Sequence, residues 1–138
     1  MNLEKTFKKV ILFDVVVLVV GIIFAFYPSE TVERANEFLD QNNWYTDNEG
    51  SYLIFILIFF ILVLIYFYSL YAIYNFKKKG RTIFLYSLIV LTISNLFMGE
   101  YALTVFDLFF LDISAMLSGA ILIFLYFTNL SKKFKQKN

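Results

Sequence analysis

Four long apolar stretches alternate with short polar segments along this chain. They cover residues 10–27, 52–74, 82–101 and about 108–130. An α-helix rises about 1.5 Å per residue, so each stretch is close to the roughly 20 residues needed to cross about 30 Å of hydrocarbon. The pattern predicts four transmembrane helices, packed as a bundle in one all-α membrane domain that covers residues 1–138.

The polar segment between the first two stretches, residues 28–51, is the only long one and has a pattern of its own. Ser29 suits the N-cap of a helix, and Glu30 in the first turn suits the positive end of the helix dipole. Apolar and charged residues then alternate at helical spacing, which predicts a short amphipathic helix on the outer membrane surface. An acidic docking surface for a basic partner is the alternative. The apolar face is Val32, Ala35, Phe38 and Leu39, and the charged face is Glu33, Arg34, Glu37 and Asp40.

The connection between the second and third stretches is very short. Residues 76–81 must reverse the chain between two apolar helices. Glycine adopts the left-handed conformation without steric cost, so Gly80 is predicted to supply the turn. The second and third helices are therefore expected to form a tight antiparallel hairpin.

Basic residues concentrate at one end of the predicted bundle. Eleven of the twelve lysines and arginines precede the first stretch, join the second to the third, or follow the fourth, and Arg34 is the exception. Cytoplasmic loops carry the Lys/Arg excess, so both termini are expected in the cytoplasm of a multi-pass inner or plasma membrane protein. No signal-peptide cleavage is expected, because an 18-residue first stretch exceeds the usual 7–15-residue apolar region.

The composition supports a membrane class and removes several kinds of chemistry. Apolar residues make up 60% of the 138 residues and charged residues 17%, against roughly 45–50% and about 25% in soluble domains. The chain has no cysteine and no histidine, which excludes disulfides, thiolate or histidine metal sites and a Ser-His-Asp triad. We expect no enzyme activity, no cofactor and no nucleic-acid partner.

Asp14 is the one charged residue in the first apolar stretch. A carboxylate at such a position costs about 2.5–3.5 kcal/mol and by default indicates an ion pathway or a partner charge. Asp14 shares a helical face with Gly21 and Ala25, a small-residue pair that allows close helix packing, so it is predicted to point into the bundle. An ion or proton site and a structural polar contact both stay open. The expected partners of such a contact are Asn129, Asn75, Tyr71 or a lysine.

A second group of candidates lies near the opposite end of the third and fourth stretches. Glu100, Asp107 and Asp112 are candidates for a cation or proton site if the helix ends bring them together. Asp107 and Asp112 lie about 140° apart around a helix, however, which weakens such a site. The alternative is that each carboxylate reaches water or a helix N-terminus. The fourth stretch also carries small residues at helical spacing, which indicates close helix packing. These residues are Ser114, Ala115, Ser118 and Gly119.

Two functions remain open from the sequence. The first is a non-catalytic accessory, regulatory or protective subunit that acts by contact with a membrane protein partner. The alternative is a homo-oligomeric small ion or proton channel, or a transporter, that uses the intramembrane carboxylates. Both place the chain in the lipid bilayer, beside a partner protein or further copies of itself.

Overall fold

The computed structural model describes residues 2–41, 43, 49–97 and 99–136, and these residues are all-helical with no strand among them. The remaining residues of the polar segment, at 42 and 44–48, lie outside the described part. Five α-helices are followed by a 3₁₀ turn and a last helical turn. Their bounds are α1 Leu3–Ala25, α2 Glu30–Asp40, α3 Glu49–Tyr74, α4 Gly80–Asn95 and α5 Val105–Phe127, then the 3₁₀ turn Asn129–Lys132 and α6 Lys133–Gln136.

Two helices of the described chain are long and apolar enough to cross a membrane by themselves. They are the segment Tyr52–Tyr74 of α3 and the whole of α5. Helices α1 and α2 together make a third candidate, bent by 80° at the break between them. Helix α4 is apolar but has only 16 residues. The prediction of an all-helical protein with membrane-length helices is thus confirmed for two helices, or for three with the bent pair.

The amphipathic helix predicted after Ser29 is confirmed as α2. The Ser29 hydroxyl accepts a hydrogen bond from the backbone N–H of Val32 at 3.4 Å, which satisfies a donor of the first turn. Arg34 pairs with Glu30 one turn away at 2.5 Å on the exposed face. Helix α4 ends at Asn95, six residues before the predicted end of the third stretch. Gly99 adopts a φ of 81° shortly afterwards, so the helix does not continue.

The long helices pack as two antiparallel pairs, α1 with α5 and α3 with α4. In the first pair Gly21 allows a close approach, because a Cβ atom at that position would lie 3.2 Å from the Cβ of Phe110. Phe24 stacks on Phe106 and Phe110 with ring centroids 5.6 and 5.5 Å apart. Helix α3 then joins the two pairs through its contact with α1.

The turn after α3 differs from the prediction, because Phe76 and not Gly80 adopts the left-handed conformation. Phe76 has a φ of 54°, and the chain closes the helix with bonds from Phe76 N to Ile73 O at 3.0 Å and from Lys77 N to Ala72 O at 2.9 Å. Burial of the phenyl ring offsets the cost of this conformation, since Phe76 is 6% exposed. Gly80 instead allows the start of α4 to lie close to the backbone of α3. A Cβ atom at this position would lie 3.0 Å from the backbone carbon of Ala72.

The buried core lies mainly at one end of the molecule. We define the basic end as residues 2–9, the α3–α4 connection and the segment 128–134, and the acidic end as α2 with residues 96–104. At the basic end Phe76 packs on Phe7 and Phe134 with ring centroids 5.8 and 5.1 Å apart. Many large apolar side chains elsewhere remain exposed, which is typical of helices that face lipid. Examples are Leu53, Leu57, Phe60, Met116 and Ile123.

Glu4 ties the two termini together at the basic end. Its carboxylate pairs with Lys133 and, at 3.3 Å, with Lys8 one turn along α1. These two ammonium groups hold the pKa of Glu4 below its ordinary value of 4.5. Because the pKa is lower in the folded chain, the unfolded chain binds this proton more readily. The stabilisation is present above pH 4.5 and is lost as the pH falls through the lower, folded pKa.

We expect Glu4→Gln to lower stability at neutral pH and to make stability less sensitive to acid. The effect should be small because the ion pairs are at the surface. Unfolding of the detergent-solubilised protein, measured in steps from about pH 7 to about pH 3, tests this, and the variant should approach the wild type as the pH falls. Glu33→Gln on exposed α2 is the matched control. A difference between Glu4→Gln and wild type that stays constant with pH would contradict the expectation.

Candidate functional site: the Asp14 cluster and the acidic end

One face of α1 points into the bundle and carries Asp14 at its centre. The buried residues of this helix, Phe7, Ile11, Asp14 and Val17, recur every three or four positions. Asp14 is 0% exposed, as its placement beside Gly21 predicted. The helix begins at Leu3, so Asp14 lies eleven residues, or about 16 Å, from its start. The carboxylate is therefore in the interior of the bundle and remote from either helix end.

Asp14 is held by hydroxyl groups from two other helices. Its Oδ2 accepts a hydrogen bond from the Tyr66 hydroxyl of α3 at 3.0 Å. Its Oδ1 accepts one from the Ser114 hydroxyl of α5 at 3.1 Å. The Tyr66 hydroxyl also lies 2.9 Å from the Oγ of Ser118, one turn further along α5. We call these four residues the Asp14 cluster, and it joins α1, α3 and α5.

The predicted partners of Asp14 were wrong. Asn75 donates its side-chain N–H to the backbone oxygen of Tyr71 at 2.9 Å, within its own helical turn. Asn129 is exposed in the 3₁₀ turn. Tyr66 was missed because it is one of several tyrosines in this half of α3, and the sequence does not distinguish the one that faces α1. The signal that identifies it is helical register: Tyr66, Leu70 and Ile73 lie on the buried stripe of α3.

The cluster accommodates Asp14 in either protonation state. When Asp14 is ionised, Ser118 donates to Tyr66, and Tyr66 and Ser114 both donate to the carboxylate. When Asp14 is protonated, it donates to Tyr66, which then donates to Ser118, since either oxygen of that pair can be the donor. No lysine or arginine in the described part of the chain forms an ion pair with Asp14. The network thus satisfies the carboxyl group with neutral partners alone.

Two asparagines fasten the acidic end. Asn36 of α2 accepts a hydrogen bond from the backbone N–H of Ala102 at 2.6 Å and donates one to the oxygen of the same residue at 3.3 Å. Asn43 pairs in the same way with Glu100, at 2.9 and 3.0 Å. A side-chain amide has a donor and an acceptor, as a peptide group has. Asn36 and Asn43 therefore pair with Ala102 and Glu100, two residues apart in the α4–α5 connection, as a neighbouring strand would. Helix α2 is thereby held against that connection.

The three acidic candidates near this end do not form one site. Asp107 forms a capping box with Thr104, accepting from its backbone N–H at 2.9 Å and its hydroxyl at 2.6 Å, while the Thr104 hydroxyl accepts from the Asp107 N–H at 3.1 Å. Glu100 and Asp112 are exposed. No three acidic, histidine or cysteine residues of the described chain form a group that could hold a metal ion. The described structure therefore does not bring Glu100, Asp107 and Asp112 together, because Asp107 completes the capping box of Thr104 at the start of α5.

The small residues divide between two sides of the bundle. Gly21 lies against Phe110, and Ser114 and Ser118 belong to the Asp14 cluster, so these three positions face the interior of the bundle. Ala25 and Ala115 are exposed instead. A Cβ atom at Gly119 would meet no described atom within 4 Å.

No protein-family model, curated protein or solved structure matches this chain.

Proposed function

We propose that the chain is a multi-pass plasma membrane protein in which α1, α3, α4 and α5 cross the bilayer as a four-helix bundle. The gathering of eleven of twelve basic residues at the basic end supports a cytoplasmic location for that end and for both termini. The 80° bend after α1 supports a placement of α2 on the opposite surface. Helix α4 is about 24 Å long, a mismatch that local bilayer thinning accommodates at small cost.

We infer that the protein acts by contact, as a non-catalytic accessory, regulatory or protective subunit. The fastening of α2 by Asn36 carries this proposal, because it presents the opposite face of the helix in a fixed position. That face carries four carboxylates and one guanidinium, so its expected partner is a membrane protein with a basic surface.

The enclosure of the Asp14 cluster supports a structural role over catalysis. Tyr66 lies in the main hydrophobic core with Ile11, Leu70 and Ile121. The cavity at the basic end, where α4 begins and α5 ends, is lined by other residues. A substrate would have to displace core side chains before it reached the carboxylate.

The contact proposal is tested by the mass of the native assembly. We expect the wild-type protein, extracted from its own membrane into nanodiscs, to carry a second protein in fixed stoichiometry. Glu33→Lys combined with Glu37→Lys should remove that protein, because the partner surface is expected to be basic. Asp112→Lys is the matched control, since Asp112 is also exposed but lies on α5. Retention of the partner by the α2 variant, or a wild type that carries none, would contradict the proposal.

Transport through Asp14 is the second candidate, favoured by one observation. Asp14 is a buried carboxylate with two hydroxyl partners, and a carboxylate inside a membrane bundle marks an ion or proton pathway by default. Liposomes containing the purified protein and a pH-sensitive dye separate the two functions. The contact function predicts no proton or sodium flux above that of empty liposomes. A flux that is present in wild type and absent in Asp14→Asn would establish the transport function instead.

A further inference from the structure

A cavity of about 370 Å³ opens at the basic end, where α4 begins and α5 ends. It is lined by Lys78, Arg81, Thr82, Tyr126 and Phe134. Its volume is within the roughly 300–1,000 Å³ typical of small-molecule sites. The lining combines two cations, a hydroxyl group and two aromatic rings, a combination suited to an anion attached to an apolar body.

Arg81 is fixed in this cavity but retains an unused hydrogen-bond donor. Its guanidinium carbon lies 4.5 Å from the ring centroid of Tyr126 and 5.9 Å from that of Phe134. The Tyr126 hydroxyl donates to the backbone oxygen of Arg81 at 3.3 Å, which joins the two helix ends. The Arg81 Nε is buried and has no hydrogen-bond partner among the described residues. A buried charged donor without an acceptor is costly, so this geometry favours a ligand that supplies one.

The surroundings of the cavity are positive and offer no counter-charge. Glu4 is occupied by Lys8 and Lys133, and neither Lys78 nor Arg81 forms an ion pair within the described part of the chain. Among the residues that the structure describes, no side chain caps the N-terminus of α4, which follows Lys79 and carries the positive end of the helix dipole. Backbone N–H groups at such a terminus bind phosphate oxygens readily. The site therefore fits a phosphate group in charge and in donors.

We propose that this cavity binds the phosphate of an anionic glycerophospholipid headgroup. The inference rests on the proposed membrane placement and is independent of the contact function. Helix α4 supports a lipid as the source of the phosphate, because an apolar stripe leads away from Thr82 at spacings of four, three and four residues. Its members are Tyr86, Ile89 and Ile93, which are 62%, 46% and 50% exposed. An acyl chain attached to the bound headgroup can lie along this stripe, whereas a soluble phosphate would make no use of it.

The test measures binding of phosphatidylglycerol to the full-length protein in detergent micelles by native mass spectrometry. Phosphatidylcholine and inorganic phosphate are separate competitors. We expect Lys78→Ala to weaken phosphatidylglycerol binding about fivefold, the effect of one basic residue near an anionic lipid. Arg81→Gln should weaken it about tenfold or more, because the guanidinium donates directly. Lys79→Ala is the matched control: Lys79 is adjacent, equally charged and outside this cavity, so its binding should stay within about twofold of wild type.

Each outcome decides the proposal. Selective loss in Lys78→Ala and Arg81→Gln, with Lys79→Ala unaffected, supports a specific headgroup site. Equal weakening by all three variants would show only a general field of positive charge and would overturn the proposal. Equal binding of phosphatidylcholine would also overturn it, and competition by millimolar inorganic phosphate would assign the site to a soluble phosphate instead. Because Arg81→Gln also loses its ring contacts, circular dichroism and the Lys78→Ala variant distinguish a lost site from a lost fold.

Discussion

Replacement of Asp14 by alanine is expected to lower the free energy of unfolding by about 2–3 kcal/mol, which is large for a protein of this size. Alanine removes the acceptor of both the Tyr66 and the Ser114 hydroxyl, and it leaves a gap in a position that is 0% exposed. Hydrogen bonds between membrane helices average about 0.6 kcal/mol each, so much of the loss comes from hydroxyl groups left without acceptors in an apolar interior. Unfolding by steric trapping in bicelles measures it.

Asp14→Asn is the matched variant and should cost less than about 1 kcal/mol. An asparagine oxygen can accept from Ser114, while its N–H₂ donates to Tyr66, which then donates to Ser118. All hydrogen bonds of the Asp14 cluster are preserved, but the donors and acceptors are exchanged between position 14, Tyr66 and Ser118. If Asp14→Asn destabilises as much as Asp14→Ala, the charge itself is required and a neutral structural cluster is the wrong description. If both variants unfold like wild type, the cluster contributes nothing to the packing of α1.

Gly80→Ala should produce the second large effect, a loss of about 1–3 kcal/mol of stability. The new Cβ atom would lie 3.0 Å from the backbone carbon of Ala72, 3.1 Å from its oxygen and 3.1 Å from the nitrogen of Ile73. All three are backbone atoms of α3, so no side-chain rotation relieves the contact, and the start of α4 must move. Denaturant unfolding, together with crosslinking yields between cysteines introduced in α3 and α4, reports the displaced hairpin.

Gly119→Ala is the control, and we expect it to raise stability and not to lower it. Gly119 lies in the interior of α5 and an added Cβ atom meets no described atom within 4 Å. Alanine favours the helix by up to about 1 kcal/mol over glycine, so this variant should be slightly more stable than wild type. Equal destabilisation by the two substitutions would mean that another helix, from a partner or a second copy, packs on Gly119. Equal tolerance would mean that the α3–α4 hairpin is looser than its geometry indicates.

Separate sets of contacts hold the basic end, the acidic end and the middle of the bundle, and each proposed binding surface lies at one of the two ends. Phe76, Phe134 and Phe7 hold the basic end as one packed unit, and the proposed headgroup site lies beside it. At the acidic end, the side chains of Asn36 and Asn43 pair with backbone groups of the α4–α5 connection and hold α2 against it. The Asp14 cluster lies between the ends and fixes α1 against α3 and α5. The partner proposed for α2 would therefore meet a bundle in which these contacts already join the helices.

The sequence by itself determined the helical class and much of the local structure. Apolar runs near 20 residues leave few alternatives to membrane-length helices, since every backbone polar group must be satisfied within the helix. Ser29 followed by an amphipathic pattern determined α2, because a cap and a face are both local properties. The face that Asp14 shares with Gly21 predicted its burial, although Ala25 of the same predicted face is exposed.

Only the tertiary structure decided which side chains meet. The sequence does not separate Tyr66 from the other tyrosines of α3, and only the packing of α3 beside α1 shows that it contacts Asp14. Asp107 is a candidate ligand in the sequence, and the structure shows that it forms a capping box with Thr104 instead. Phe76 takes the left-handed turn because its ring is buried between α1 and α6, which no local propensity encodes. Which side chains contact each other depends on how helices that are distant in sequence are rotated and shifted relative to one another. A pattern of apolar residues constrains this rotation and shift only loosely.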